Sequence, residues 1–369
     1  MINTTESISI ESIIHTQAYH AVCREELPMN QRKPLPGILV ILLDLLGIAA
    51  ALGIFAVFMF VLPASSNEPL RQIISFGATP SPEPVIESPT PQITLPPEAT
   101  PSPTPTPTPS PTPAPGDFSA TFPTGEADED GAIGSYADED LHIVIQEYRT
   151  DSAVYYVADV WIRSFQGFKT AFAGNHYKGG YAMPNSIASD YHAILALSGD
   201  CYKSRSKGIV IRNGTLYRDT LSGDVCILYA DGVMESYYEY EFDLEAAVAR
   251  GAYQGWCFGP KLIDNGQIPS RYNTSDAILS RNPRAAIGYY APGHYCLVYV
   301  DGRQGDYSRG MTMDELAQTM IDLGCVDAYN LDGGQSAMMV FQGQVIGQPY
   351  RGGRNISDII YFGGDDPQA

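Results

Sequence analysis

The 369-residue chain carries a formal net charge of −20 at pH 7, with 22 Lys and Arg against 42 Asp and Glu. Nucleic-acid binding needs a basic footprint, so this balance excludes nucleic acid as a partner. The 28 prolines are concentrated in one stretch, and the chain therefore reads as segments of different physical character.

Residues 1–36 show no clear periodicity and read as a short cytoplasmic tail. From Ile38 to Leu62 an apolar run is broken only by Asp44, and from Leu45 it is uninterrupted. That length spans a bilayer core, with Asp44 close to the headgroups, where a charge costs less than at the centre. Arg24, Arg32 and Lys33 precede the run and Arg71 follows it, which leaves the N-terminus in the cytoplasm and everything beyond residue 63 outside. The weak "LPASS" site does not make a convincing cleavage signal, so residues 37–63 are expected to form an uncleaved single-pass anchor in the cell membrane.

Residues 64–116 end in "TPSPTPTPTPSPTPAPG". Proline removes hydrogen-bond donors and fixes φ, so this linker has no means of building a core and should be extended polyproline II. At roughly 3.1 Å per residue it would hold the following domain on the order of 100 Å from the membrane. Its Thr and Ser residues suit O-glycosylation. The acidic segment 127–140, "ADEDGAIGSYADED", reads as a solvated charge run at the entry to the folded part.

Residues 117–369, with a core at about 136–364, are read as one domain. "LHIVIQEYR" and "AVYYVADVWI" alternate and carry β-branched and aromatic residues, as strands do. "AILALSGD" is a short buried strand ending at Asp200. "GIVIRNGTLYR" is a hairpin turning at Asn213-Gly214, and "VCILYADGVMESYYEY" turns at Asp231-Gly232. "MPNSIASDYH" is a short helix. "TMDELAQTMIDLG" is a longer one, with a capping box from Thr312 to Glu315 and a stop at Gly324. "VDAYNLD", "SAMMVFQGQVI" and "ISDIIYFG" return to strand. The sum is an α+β fold, a strand-rich mixed sheet with a few packed helices.

Five of the six cysteines (Cys201, Cys226, Cys257, Cys296, Cys325) lie in this domain without C-x-x-C spacing, so zinc is not indicated and disulfides are unassigned. The histidines form no H-x-x-x-H or H-E-x-x-H set, and no cofactor is called for.

Four polar clusters sit at strand ends, where a rigid sheet presents functional groups. They are Ser198-Gly199-Asp200-Cys201-Tyr202, Arg284 in "NPRAAIGYY", Asp301-Gly302-Arg303, and Asn330-Leu331-Asp332-Gly333-Gly334-Gln335-Ser336 followed by "GGRNISD". A guanidinium entering an apolar strand at Arg284 demands an anionic partner or ligand. Asp332-Gly333-Gly334 admits two readings, a plain hairpin turn or a carboxylate presented beside bare backbone at the mouth of a sheet. Ser336 has no histidine at triad spacing and suits a hydrogen-bonding role.

Taken in order, "PRAAIGYY…LVYVDGR…MTMDELAQTMIDLGCVDAYNLDGGQSAMMV…GGRNISDIIYF" resembles the phosphodiester glycosidase family. The likeness extends upstream through "TAFAGNHYKGG", "AILALSGDCY" and "GIVIRNGTLYRD", covering roughly residues 136–364. Gln335 stands where many of its members have a third glycine, and Ser198-Gly199 where they have Asn-Gly. The resemblance implies hydrolysis between the anomeric carbon of a sugar and a phosphodiester. In that chemistry Arg284 and Arg354 would hold the phosphate, Asp332 would be nucleophile or base, and Asp200 the second carboxylate. Gly333 and Gly334 would let backbone amides approach substrate, with Asn330, Gln335, Ser336, Asp301 and Ser357 around it. An anchor with a long spacer suits an envelope glycopolymer or exopolysaccharide as substrate. Two rivals stand beside this reading. One is a phosphosugar-binding module without catalysis. The other is a phosphoesterase holding a divalent cation on Asp200, Asp301 and Asp332.

Overall fold

A computed structural model describes residues 68–74, 115–127 and 130–364, all within the compact unit Ser66–Ala369. The expected membrane span at 37–63 and most of the expected linker lie outside the described residues. Among the described residues, no helix is long and apolar enough to cross a membrane.

The strand-rich α+β expectation holds, but the strands are divided among three sheets whose pairings are antiparallel. The first sheet runs, edge to edge, through Asp327–Asn330, Arg284–Ala291, His294–Val300, Val154–Ile162, Leu141–Arg149 and Ala132–Ala137. The second runs Gln344–Ile346, Met339–Phe341, Leu195–Ser198, Asp358–Phe362 and Lys169–Phe172. The third holds the two expected hairpins, with Ala252–Trp256 inserted between Val210–Arg212 and Val225–Tyr229. Asn213 and Gly214 both adopt positive φ, as a two-residue hairpin turn requires.

One apolar core joins all three sheets. Ile143, Ile287 and Tyr329 come from the first, Leu197, Met339 and Ile360 from the second, and Leu228 and Trp256 from the third. Helices cover the outer faces. We label them α1 (Pro184–Asp190), α2 (Leu244–Ala249), α3 (Asp276–Leu279) and α4 (Met313–Asp322). The α4 helix begins with the expected capping box, both halves of which form between Thr312 and Glu315. It buries Met313, Leu316, Ala317 and Met320 against Ala286 and Val298 of the first sheet. On the second sheet, α1 packs Ile187 and Ala188 against Ala196, Val340 and Tyr361.

Three elements differ from the sequence reading. Residues 68–74, assigned to the linker, lie along the third sheet, with Arg71 opposite Leu216 and Gln72 opposite Thr215. Ile73 and Ile74 bring apolar surface to that edge, which the proline-rich stretch lacks. Within the acidic entry, Ala132–Ala137 forms an edge strand whose side chains alternate in exposure. Finally, Asp332-Gly333-Gly334 is not a hairpin. Asp327–Asn330 belongs to the first sheet, while Met339–Phe341 pairs with Leu195–Ser198 in the second. The segment is a crossover between sheets, closed by a single 3-10 turn at Gly334–Ser336.

Candidate active site

The crossover exists because its glycines allow close backbone approach. A Cβ on Gly333 would lie 2.7 Å from the Pro283 carbonyl oxygen, and Gly334 holds φ +63; side chains rarely tolerate either condition. Gly334 N–H donates to Pro283 O at 2.9 Å, and Leu331 N–H donates to Ala285 O at 2.8 Å. Asp332 is thereby delivered to the end of the neighbouring sheet, where its own N–H donates to Gly199 O at 3.1 Å. The strand end carrying Gly199 and Asp200 and the crossover carrying Asp332 therefore abut, although 132 positions separate the two acids in the sequence.

Asp332 is nearly buried, and its Oδ2 accepts from Arg354 Nη2 at 3.1 Å. Arg354 Nε donates to Ser336 Oγ at 2.6 Å. Burial pushes the Asp332 carboxyl above the ordinary aspartate range. The Ser336 hydroxyl and the Arg354 guanidinium oppose that rise, and the charge of Asp200 adds to it.

Asp200 is held from three sides. Its N–H donates to Asp358 Oδ1 at 3.0 Å, its Oδ2 accepts from Cys257 N–H at 2.9 Å, and its carbonyl accepts from Ser357 Oγ at 2.9 Å. Its Oδ1 is buried without a hydrogen-bond partner among the described residues, an arrangement that costs free energy until a donor reaches it. Beneath it Asp358 forms a fully buried pair with Arg212, whose Nε and Nη2 lie 2.9 and 2.7 Å from Oδ2. Burial pushes the Asp358 carboxyl up to about 7, against the pull of Arg212.

The remaining expected residues divide into those the fold brings to the crossover and those it uses elsewhere. Asn330 is fully buried; its Nδ2 donates to Gly259 O at 2.6 Å and its Oδ1 has no partner among the described residues. Gln335 Nε2 donates to Gly353 O at 2.8 Å, tying the crossover to the Arg354 segment. Ser357 is buried and supports Asp200 by donating its Oγ–H to the Asp200 carbonyl. Ser198 is likewise buried, bonding Ser336 O at 2.6 Å and Met338 N–H at 2.9 Å.

Asp301 departs from its expected substrate-binding role. Its oxygens accept from Tyr299, from Tyr307 at 2.9 Å and from Gln348 N–H at 3.0 Å. A fully buried carboxylate with these donors closes the 347–348 loop onto the sheet. It is not grouped with Asp200 and Asp332. Among the described residues, no three His, Cys, Asp or Glu side chains are arranged to hold a metal ion.

Arg284 is 2% exposed, and among the described residues no carboxylate is bonded to it. Its Nε donates to Met311 O at 3.0 Å and its Nη2 to Ser280 O at 2.6 Å. Burial, and then repulsion from Arg303, bring its pKa down to about 10. Arg303, in the sequence simply the end of the Asp301-Gly302-Arg303 cluster, is placed at the site. It lies over the crossover, its Nη2 3.3 Å from where a Gly334 Cβ would stand. Its Nε and Nη2 share Asn282 Oδ1 at 3.1 and 2.7 Å, and its guanidinium sits 5.5 Å from the Tyr350 ring centroid. The Arg303 guanidinium thus stands beside the glycine backbone of the crossover, with buried Arg284 close enough to be repelled by it.

Arg205 also escaped the sequence reading, since "CYKSRSKG" resembles an ordinary basic surface run. Its Nη1 donates to Cys257 O at 2.9 Å. Burial alone would lower its pKa, but Cys201, Asp200, Tyr329 and Asp332 outweigh that and raise it. Burial, Asp332 and Asp200 push the Cys201 thiol up to about 12, so it stays protonated and is not a thiolate nucleophile.

Asp332 and the Asp200 strand end thus meet at the crossover, with Arg354 tied to Asp332 and Arg303 beside Gly334. Residues 191–363 match the sequence profile of the family described as phosphodiester glycosidase. Among curated proteins it is 29% identical over 183 residues to the SPbeta prophage-derived uncharacterized protein YomE of Bacillus subtilis (strain 168). That match takes in 47% of this chain and 27% of the relative, so the chain spans about a quarter of that relative's length. Among solved structures it is similar to the zebrafish N-acetylglucosamine-1-phosphodiester alpha-N-acetylglucosaminidase catalytic domain, auto-inhibited by its pro-peptide. The TM-score is 0.50 at 20% identity, over 63% of this chain and 87% of that one. A hypothetical protein from Synechocystis aligns over 61% of this chain and 62% of its own, with TM-score 0.48 and 17% identity.

Proposed function

We propose that the protein hydrolyses a sugar-1-phosphodiester between the anomeric carbon and the bridging oxygen, releasing a reducing sugar and a phosphate monoester. The observation that carries this reading is the placement of Asp332 against the Asp200 strand end while Arg354 and Ser336 hold its carboxylate. Water adds to C1, the C1–O bond breaks, and its electron pair leaves with the phosphate. Asp332 supplies the negative charge that meets C1, directly or by taking the proton of the attacking water. The free Oδ1 of Asp200 accepts a sugar hydroxyl.

The leaving group determines what else the site needs. A glycosidase acting on an alkoxide leaving group must protonate it. A phosphate monoester has a second pKa of about 6 and departs once its charge is matched. Arg303 and Arg284 supply that matching in this reading, with Arg354 committed to Asp332 rather than to phosphate. The assignment thus keeps Arg284 as a phosphate partner, adds Arg303 and gives Arg354 a different role.

The biological setting follows from the N-terminal segments. The apolar run and the proline-rich spacer suit a membrane-anchored enzyme acting outside the cell on an envelope glycopolymer. The test is incubation of the protein with a panel of sugar-1-phosphodiesters, following free reducing sugar. Turnover that disappears in Asp332→Asn supports the reading. A wild-type protein that releases no sugar from any member of the panel overturns it.

A further inference from the structure

Two hollows away from Asp332 form one groove. The larger, about 710 Å³, is lined by Tyr238, Tyr240, Glu239 and Asp264 among others. The smaller, about 620 Å³, reaches Leu279 and Asp314. They share Ser270, Arg271, Tyr272 and Thr274. The far end touches the proposed phosphate seat, since Arg284 Nη2 donates to the carbonyls of Leu279 at 3.5 Å and Ser280 at 2.6 Å.

The other end of the groove has an unusual wall. Tyr240 is 82% exposed, yet its ring stacks on Tyr238 with centroids 5.5 Å apart and planes at 7°. Tyr238 is fixed from behind, its hydroxyl donating to Asp264 Oδ2 at 3.2 Å while Lys261 pairs with Asp264 at 3.3 Å. The outer Tyr240 ring therefore contributes nothing to the core and presents an apolar plate to solvent. Around it stand acceptors on Glu239 and Asp264 and the Asn273 amide, which donates to Asp224 Oδ1 at 3.3 Å.

An apolar plate ringed by a few fixed polar groups matches a ligand with one C–H face and a rim of hydroxyls. The lining carboxylates Asp224, Glu239 and Asp264 outnumber the larger hollow's one arginine, Arg271, which disfavours a second phosphate here. We propose that this groove binds a neutral sugar or alditol unit, and that in the substrate this unit is the alcohol half of the phosphodiester. The second clause rests on the proposed cleavage; binding of a neutral sugar to the groove does not.

The two are separated by experiment. Saturation-transfer NMR with neutral disaccharides (maltose, cellobiose and chitobiose) is recorded on the wild-type protein, Asp332→Asn and Tyr240→Ala. We expect transfer to at least one disaccharide in the first two and its loss in Tyr240→Ala, whose exposed ring can be removed without opening the core. Absence of transfer from the wild-type protein to all three disaccharides, or undiminished transfer from Tyr240→Ala, overturns the proposal. In a second arm, a sugar-1-phosphate methyl diester is compared with one esterified to a hexose. Tyr240→Ala should lower the ratio of kcat/KM for the hexose diester over the methyl diester about tenfold. An unchanged ratio removes the alcohol-half assignment. Failure of the wild-type protein on both diesters removes the cleavage reading while leaving the NMR result to decide the groove.

Discussion

The guanidinium of Arg354 meets the carboxylate of Asp332 at 3.1 Å across a gradient of exposure, with 52% of the arginine side chain accessible and 11% of the aspartate's. The pair thus lies at the mouth of the site, and Arg354 works against the burial that raises the Asp332 pKa. Arg354→Ala removes that opposition, so the Asp332 pKa moves further up. The acidic limb of the kcat/KM profile should shift to higher pH, and kcat should fall on the order of 10- to 100-fold. Arg354→Lys keeps the charge but loses simultaneous contact with Ser336 and Asp332, and should fall between the two. A pH–rate profile of each variant checks this; an acidic limb that stays in place contradicts the pairing's role.

Burial, and then repulsion from Arg303 beside Gly334, bring the Arg284 pKa down to about 10. A phosphate bound there, as proposed, would offset the uncompensated positive charge. A charge-assisted hydrogen bond is worth about 1.5–3 kcal/mol, so Arg303→Ala should weaken substrate binding roughly 10- to 100-fold, seen mainly in KM. Inorganic phosphate should inhibit the wild-type enzyme competitively and lose potency in the same variant. Unaltered inhibition by phosphate would place the anion elsewhere.

The Arg212–Asp358 pair is 2% and 0% exposed and carries the Asp200 N–H on its outer oxygen. Asp358→Asn leaves a buried guanidinium without its counter-charge, which costs about 3–5 kcal/mol. Urea unfolding should show that loss, and the double change Arg212→Met with Asp358→Asn should recover part of it.

Asp327 accepts from Ser236 N–H at 2.6 Å and its hydroxyl at 2.5 Å, yet burial pushes its carboxyl up to about 6. A raised acid holds a proton in the folded state after the unfolded chain has released it. Its contribution is fully present below about pH 4 and is lost as pH rises through 6. Asp327→Asn should therefore flatten the decline in Tm between pH 4 and 7, measured by thermal melts across that range.

The sequence made legible what local chemistry dictates. The capping box at Thr312 and the Asn213-Gly214 turn are each set by a few adjacent residues, and both form as expected. The destination of a strand was not legible. Nothing in "NLDGGQSAMMV" says that the residues after Gly334 leave one sheet for another, because that depends on pairing with Leu195–Ser198, more than 130 positions upstream. The same limit separated Asp301 from Asp332. Both precede a glycine at a strand end, but only the partners supplied by Tyr307 and Gln348 show that Asp301 closes a loop. Arg205 and Arg212 were hidden for a related reason, since a cation in a short turn or hairpin looks solvent-facing until a buried carboxylate or carbonyl is placed beside it.

Hydrolysis in ¹⁸O-labelled water reports which bond of the phosphodiester breaks. The phosphate monoester product is the one to analyse, because the anomeric hydroxyl of the released sugar exchanges with solvent. Attack at C1 leaves the bridging oxygen on phosphorus, so the phosphate monoester should carry no label. Incorporation of ¹⁸O into the phosphate product would show attack at phosphorus and contradict cleavage of the C1–O bond.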